Sequence, residues 1–284
     1  MILGIDVSYY QQKVDWPALK ESGVEFAIIK CTSGLGKDTM FLEHIKGASD
    51  AGMITGCYHW CDPIQDDVRQ AANVLAVIKD QPVDMIALDV EQWWSDWNAW
   101  YQSITKKISN ADVPRMNAQR ISDNGLNVAR YISEHDPLKR PILIYTAKWF
   151  TDSYSPQITS WVPNYHLWTA QYPYAAGGIK LAWSEFKTKY WPMAKSPILP
   201  RGLTEWKIWQ FSGDKFQLPG IYGDKGGTRL SSCDINQFNG DLADLFAFVG
   251  KTPPAPPPAE PIPLEVSAKE QLARLWAAHP ELHP

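Results

Sequence analysis

Residues 85–91 read MIALDVE, and this stretch decides the fold. Met85–Leu88 is an unbroken apolar run that ends on two acids, Asp89 and Glu91. An apolar strand without polar alternation suits a sheet that is covered on both faces. Similar runs lie on both sides of it in the chain. Ile2–Val7, Phe26–Thr32 (FAIIKCT) and Ile54–Cys61 precede it; Pro141–Thr146 (PILIYT), His166–Gln171, Trp206–Phe211 and Cys233–Gln237 follow. The first five are joined through helical stretches at Asp15–Ser22, Phe41–Ala51, Asp66–Lys79 and Ile121–Glu134. In the third stretch Val68, Ala71, Ala72, Leu75 and Ile78 share one face. Eight strands alternating with helices predict an α/β fold whose parallel sheet closes into an irregular TIM-like barrel. The irregularity is expected in the second half, where the connections lack helical periodicity.

Composition narrows the function. The chain has 284 residues, 45% hydrophobic and 20% charged, which is a globular composition. With 27 Lys+Arg against 31 Asp+Glu the net charge is -4, which argues against nucleic acid as a partner. No apolar run approaches the roughly 20 residues of a membrane span, so no membrane insertion is expected. The N-terminus, MILGIDVSYY, lacks the basic and long apolar regions of a signal peptide. Cys31, Cys57, Cys61 and Cys233 are scattered and complete no zinc pattern, so buried thiols are expected. The 14 Trp, beside 12 Tyr and 9 Phe, exceed what a core usually needs.

The organisation expected is a catalytic barrel over residues 1–250, a linker over 251–263 and a short helical tail over 264–284. Thr252–Pro263 holds seven prolines in twelve residues and predicts a stiff, extended linker. In the tail, Ser267 and Glu270 fit a capping box, and Leu272, Leu275 and Trp276 have helical spacing. One such helix cannot bury a core by itself, so it would dock on a partner or self-associate.

In a β/α barrel the chemistry sits at the C-terminal ends of the strands. Strand one ends at Asp6, strand four at Asp89 and Glu91, and the last strand carries Asp234. On one strand Asp89 and Glu91 would point the same way, with Cα atoms about 6.6 Å apart. Two carboxylates that close raise one pKa. A protonated carboxyl beside an ionised one is what cleavage of a glycosidic bond requires. The competing reading is a Mg²⁺ or Mn²⁺ site, with His59 as the one nearby nitrogen ligand. Aromatic side chains fall on the same rim: Tyr58, Trp60, Trp93, Trp94, Tyr145, Trp168, Tyr172 and Trp209. Their faces would stack on sugar rings, although Trp60 and Trp209 fit a core position equally well. Trp97, Trp100 and Tyr101 extend the stripe into an insertion, at a spacing that also fits an ordinary packed helix.

Six motifs in order resemble glycoside hydrolase family 25, the Chalaropsis-type muramidases. They are GIDVS (Gly4–Ser8), LDVE (Leu88–Glu91), PILIYT, LWTAQY (Leu167–Tyr172), KIWQF (Lys207–Phe211) and CDINQFNGD (Cys233–Asp241). The resemblance spans roughly residues 1–250. It implies five β/α units followed by three strands, and cleavage of the β-1,4 bond between N-acetylmuramic acid and N-acetylglucosamine in peptidoglycan. It implies Glu91 as general acid, Asp89 orienting the substrate's 2-acetamido group, and Asp6 and Asp234 tuning charge and holding substrate. Tyr58, Tyr145, Trp168 and Gln210 match cleft-lining positions, and no metal or organic cofactor is expected.

The chain departs from the family pattern at Gln92–Arg120 and Ala175–Arg201, both longer than expected and both placed on the rim. A chitinase-like glycosidase and a non-catalytic wall-sugar module are the alternatives. A wall hydrolase with no leader and a proline linker fits a phage endolysin made in the host cytoplasm; an enzyme secreted with its leader absent is the other source.

Overall fold

The structure, a computed structural model, describes residues 1–174, 180–193, 195–213, 215–253 and 277. By its internal contacts the chain divides into Met1–Lys251 and Thr252–Pro284. The expected linker and tail fall outside the described residues, apart from Thr252, Pro253 and Ala277.

The first unit's main sheet has nine strands among the described residues; besides the short Gly36–Lys37, which pairs with the end of Phe26–Ser33, eight make the barrel: β1 Ile2–Val7, β2 Phe26–Ser33, β3 Ile54–Trp60, β4 Met85–Asp89, β5 Ile142–Ala147, β6 His166–Ala170, β7 Ile208–Ser212 and β8 Asp234–Phe238. They pair in chain order, and β1 pairs with both β2 and β8, so the sheet closes on itself as a barrel. Nearly every strand residue is buried, which explains the unbroken apolar runs.

Helices of the first unit include α1 Trp16–Glu21, α2 Phe41–Asp50, α3 Asp67–Ile78, α4 Trp97–Ile104, α5 Ala118–His135 and α6 Lys148–Ser153. Four begin where a short polar side chain satisfies an orphan backbone N–H: Asp15, Asp66, Asp96 and Asn117 each accept from the first turn. Arg120 on α5 grips the Asp67 carboxylate of α3 with two hydrogen bonds of 2.9 and 2.7 Å, and Asn124 adds a third. Gly4, in GIDVS, is required by packing. A Cβ there would sit 2.2 Å from the Phe26 ring that fills the space beside it.

Two expectations are corrected. β4 stops at Asp89 rather than Glu91. Val90 N–H still bonds the Tyr145 carbonyl at 2.9 Å, but then the chain leaves the ladder, so strand alternation does not set the position of Glu91. The sheet is also not wholly parallel, because β8 runs antiparallel to β1 and β7. After β7 the chain makes an excursion through the strands Phe216–Tyr222 and Leu230–Ser232. Phe216–Tyr222 pairs with Leu230–Ser232, Lys13–Val14 and Leu181–Ala182 in a second small sheet, which the sequence did not signal. The excursion returns the chain to the rim where β1 and β7 end, and β8 starts there. Asp234 thus reaches that rim from the first residue of its strand, opposite Asp6 in the ladder.

Candidate active site

At this rim a cleft of about 460 Å³ opens. Its lining includes Asp6, Asp89, Glu91 and Asp234 together with Tyr58, Tyr145, Trp168 and Gln210. All four acids singled out from the sequence therefore meet in one cavity with the four residues that the resemblance placed in the cleft. Trp93 and Tyr172 do not line it. Trp93 stacks on Tyr154 with centroids 5.2 Å apart, and Tyr172 reaches the site only through Gln210.

Gln210 organises one side. Its amide nitrogen donates to Asp6 Oδ2 at 3.0 Å and to Asp234 Oδ2 at 3.2 Å. Its oxygen accepts from the Tyr145 and Tyr172 hydroxyls, each at 2.9 Å. Asn236 donates to the same Asp6 oxygen at 2.8 Å while its own oxygen accepts from the Trp168 indole at 2.8 Å. These two amides sit side by side because Gln210 and Asn236 are register partners of β7 and β8. Burial raises the Asp6 carboxyl above its ordinary range, and the amide donors and Lys30 pull it back.

The β4 side differs. Asp89 is buried, 5% exposed, and its Oδ1 has no hydrogen-bond partner. Burial and the neighbouring Glu91 push the Asp89 carboxyl well above the carboxylate range. Glu91 is only partly exposed, and its carboxyl is raised to about 7, chiefly by burial and also by Asp6, against the opposing pull of Lys30. Asp89 is thus bordered by acids and short of donors. The site can hold a proton on a carboxyl near neutral pH, which is the condition for general-acid work.

The walls are aromatic. Trp168 forms the floor, edge-on to Tyr145 at 4.7 Å and to Tyr58 at 6.3 Å. Burial and the surrounding acids raise both tyrosine hydroxyls well above their usual range, so they stay neutral donors. Trp60 lines the cleft, whereas Trp209 is buried among Trp206 and Phe211 on the outer side of the sheet.

Lys30 was not anticipated. Its ammonium lies 5.5 Å from the Tyr58 ring centroid and 5.1 Å from that of Trp60, inside the acidic cleft. The signal was visible as one cation inside the apolar strand FAIIKCT. Lys180, Ser231 and Ser232 also reach the lining, carried by the second small sheet and the segment before it. His59 is fully buried outside the cleft, with Nδ1 paired to the Thr32 hydroxyl at 2.8 Å, and burial lowers it to about 3. Among the described residues no group of three or more His, Cys, Asp or Glu side chains could hold a metal ion. The four cysteines are buried free thiols.

Known proteins share the family and the fold of this chain. Lysozyme M1 of Streptomyces globisporus is 28% identical over 258 residues, covering 88% of this chain and 72% of that protein. The bacterial lysozyme from Streptomyces coelicolor superposes with a TM-score of 0.63 at 21% identity, covering 87% of this chain and 96% of that one. An endolysin catalytic domain from a bacteriophage of Listeria monocytogenes gives a TM-score of 0.60 at 18% identity, covering 87% and 98%. The profile of the glycosyl hydrolases family 25 matches residues 5–221. The chain belongs to family 25 of the glycosyl hydrolases and is a glycoside hydrolase.

Proposed function

We propose that the chain is an N-acetylmuramidase, cleaving peptidoglycan at the β-1,4 bond between N-acetylmuramic acid and N-acetylglucosamine. Glu91 is the general acid. It gives its proton to the glycosidic oxygen as the bond from that oxygen to the sugar's C1 breaks. The 2-acetamido oxygen of the same sugar attacks C1 as internal nucleophile, and water later opens that intermediate, returning a proton to Glu91. The neighbouring pair holds one proton; with the sugar bound it rests on Glu91, and Asp89, then ionised, accepts from the acetamido N–H and stabilises its growing positive charge. The observation that carries this reading is a neighbouring pair of raised carboxyls, Asp89 and Glu91, in which one buried Asp89 oxygen has no donor among the described residues. An acetamido N–H is the kind of donor that oxygen lacks. Asp6 and Asp234, held by Gln210, tune the charge and position the sugar, with Tyr58, Tyr145 and Trp168 against its faces.

Several further readings belong with this one. The barrel is read as five β/α units followed by three strands, with residues 251–263 as linker and 264–284 as a separate tail that docks or self-associates. The wall is the site of action. Among the described residues no helix is long and apolar enough to cross a membrane. A phage endolysin released at lysis is the source this reading favours, and an endolysin catalytic domain shares the fold.

Sugar end-group analysis tests the reading. Digestion of purified peptidoglycan is expected to release muramic-acid reducing ends. Glucosamine reducing ends would instead mark a chitinase-like specificity, and no release at all would mark a binding module.

A further inference from the structure

We infer that the insertion after the catalytic pair builds an additional glycan-binding platform, which extends the cleft along α4 toward Tyr101. The inference rests on the reading of the cleft as a glycan-cleaving site. The insertion is welded to the rim. Trp60, which lines the cleft, donates its indole N–H to Gln92 Oε1 at 2.9 Å. Gln92 in turn donates to Asp62 Oδ1 at 2.9 Å, and the other Asp62 oxygen accepts from the Trp97 indole at 3.0 Å. Asp62 is 1% exposed, so this chain of bonds is shielded from water. The rings follow the same path. Trp60 packs on Trp94 at 5.8 Å, and Trp94 stacks on Trp100 at 4.4 Å and 13° while meeting Trp97 edge-on at 5.4 Å. A bridge between Trp94 and Arg115 and the bond from Met116 N–H to the Trp93 carbonyl, at 2.8 Å, close the base.

The outward face of α4 is the unusual part. An amphipathic helix ordinarily buries its aromatic stripe. Here Trp97, Tyr101 and Ile104, at spacings of four and three, stay 39, 57 and 53% exposed on one face. The packing beneath this face is continuous with the cleft through Trp94 and Trp60, and the Trp97 ring is fixed before any ligand arrives. Pre-ordered aromatic surface costs little side-chain entropy on binding. The occupant that enters the cleft and emerges along this path is the next stretch of the same polysaccharide, whose sugar rings offer apolar faces. Binding energy from such remote units can be expressed as rate at the scissile bond, so short substrates would react less efficiently than long ones.

The test uses the full chain and peptide-free glycan strands fractionated by length, with kcat/KM compared between long strands and the shortest oligomer cleaved. In the wild-type protein the long strands are expected to be preferred. Tyr101→Ala is expected to reduce that preference about tenfold, the loss of one well-placed aromatic contact. Tyr101→Phe is expected to retain it, because the ring rather than the hydroxyl makes the contact. Trp97→Ala should lose at least as much; since it also unpairs Asp62, the exposed Tyr101 decides the matter. An unchanged preference in Tyr101→Ala overturns the platform. So does a change of oligomeric state with the preference intact. Reducing-end analysis of the same digests reads the muramidase assignment separately, since a length preference is measurable whichever sugar is left at the end.

Discussion

Two pairs of carboxylates stand on opposite sides of one barrel mouth, and they are treated differently. On the β1–β8 side, Asp6 and Asp234 share the Gln210 amide, and Asn236 adds a second donor to Asp6. On the β4 side, Asp89 keeps an unpartnered buried oxygen and Glu91 is raised to about 7. Burial acts on both sides; what differs is the supply of amide donors. Donor-bonded carboxylates are held in place, whereas starved ones hold a proton or wait for a ligand's donor. The protein thus keeps a rigid, pre-bonded wall facing a reactive one.

The largest effect should come from the reactive wall. Glu91→Gln is expected to lower kcat on peptidoglycan by about 10²- to 10⁴-fold while binding of glycan strands persists. Near-normal turnover by that variant would remove Glu91 from the acid role. Asp89→Asn should follow, with a loss of about 10²-fold in kcat, because the amide carries no charge to stabilise the acetamido group. Equal losses from Asp6→Asn would break the distinction between the two walls.

The pre-bonded wall should answer in stability. Gln210→Ala leaves two tyrosine hydroxyls and two carboxylates without their shared partner, so a loss of about 3 kcal/mol is expected in denaturant unfolding. The opposite sign is expected for the reactive wall. Glu91 is raised from 4.5 to about 7 in the folded chain, so the folded state holds that proton more tightly than the unfolded one. The resulting stability is complete below about pH 4.5 and is lost as pH rises through about 7. Glu91→Gln should therefore melt above wild type at pH 8, by up to about 3 kcal/mol, and match it at pH 4. A variant less stable than wild type at pH 8 would contradict this assignment of strain.

Much of this architecture was legible in the residues. Apolar runs marked strands such as β2, β4 and β5, because burial on both faces leaves little room for polar alternation, whereas β7 and β8 carry the buried polar Gln210 and Asn236. Strand direction was not legible. Nothing in DINQF distinguishes an antiparallel β8 from a parallel one, and two strands of the second small sheet, Lys13–Val14 and Leu181–Ala182, are too short for periodicity. The acids were found by position. Gln210 was found by resemblance, and its role as the shared donor came only from the register that seats it beside Asn236. Lys30 was present as a charge in an apolar strand and was passed over, since a lone lysine on a strand is usually a solvated edge residue.

Lys30 gives the smallest and most discriminating change. Its ammonium opposes the rise of both Asp89 and Glu91. Lys30→Met should therefore move the alkaline limb of the kcat/KM profile upward, as Glu91 keeps its proton to higher pH. A downward shift would mean that the lysine does not act on these acids.

The central claim is that Glu91 is protonated near neutral pH in the free protein. Carbon-13 NMR of labelled Glu carboxyls, compared between wild type and Glu91→Gln, isolates its titration. A midpoint near 7 is expected, and a midpoint near the ordinary 4.5 would contradict the account.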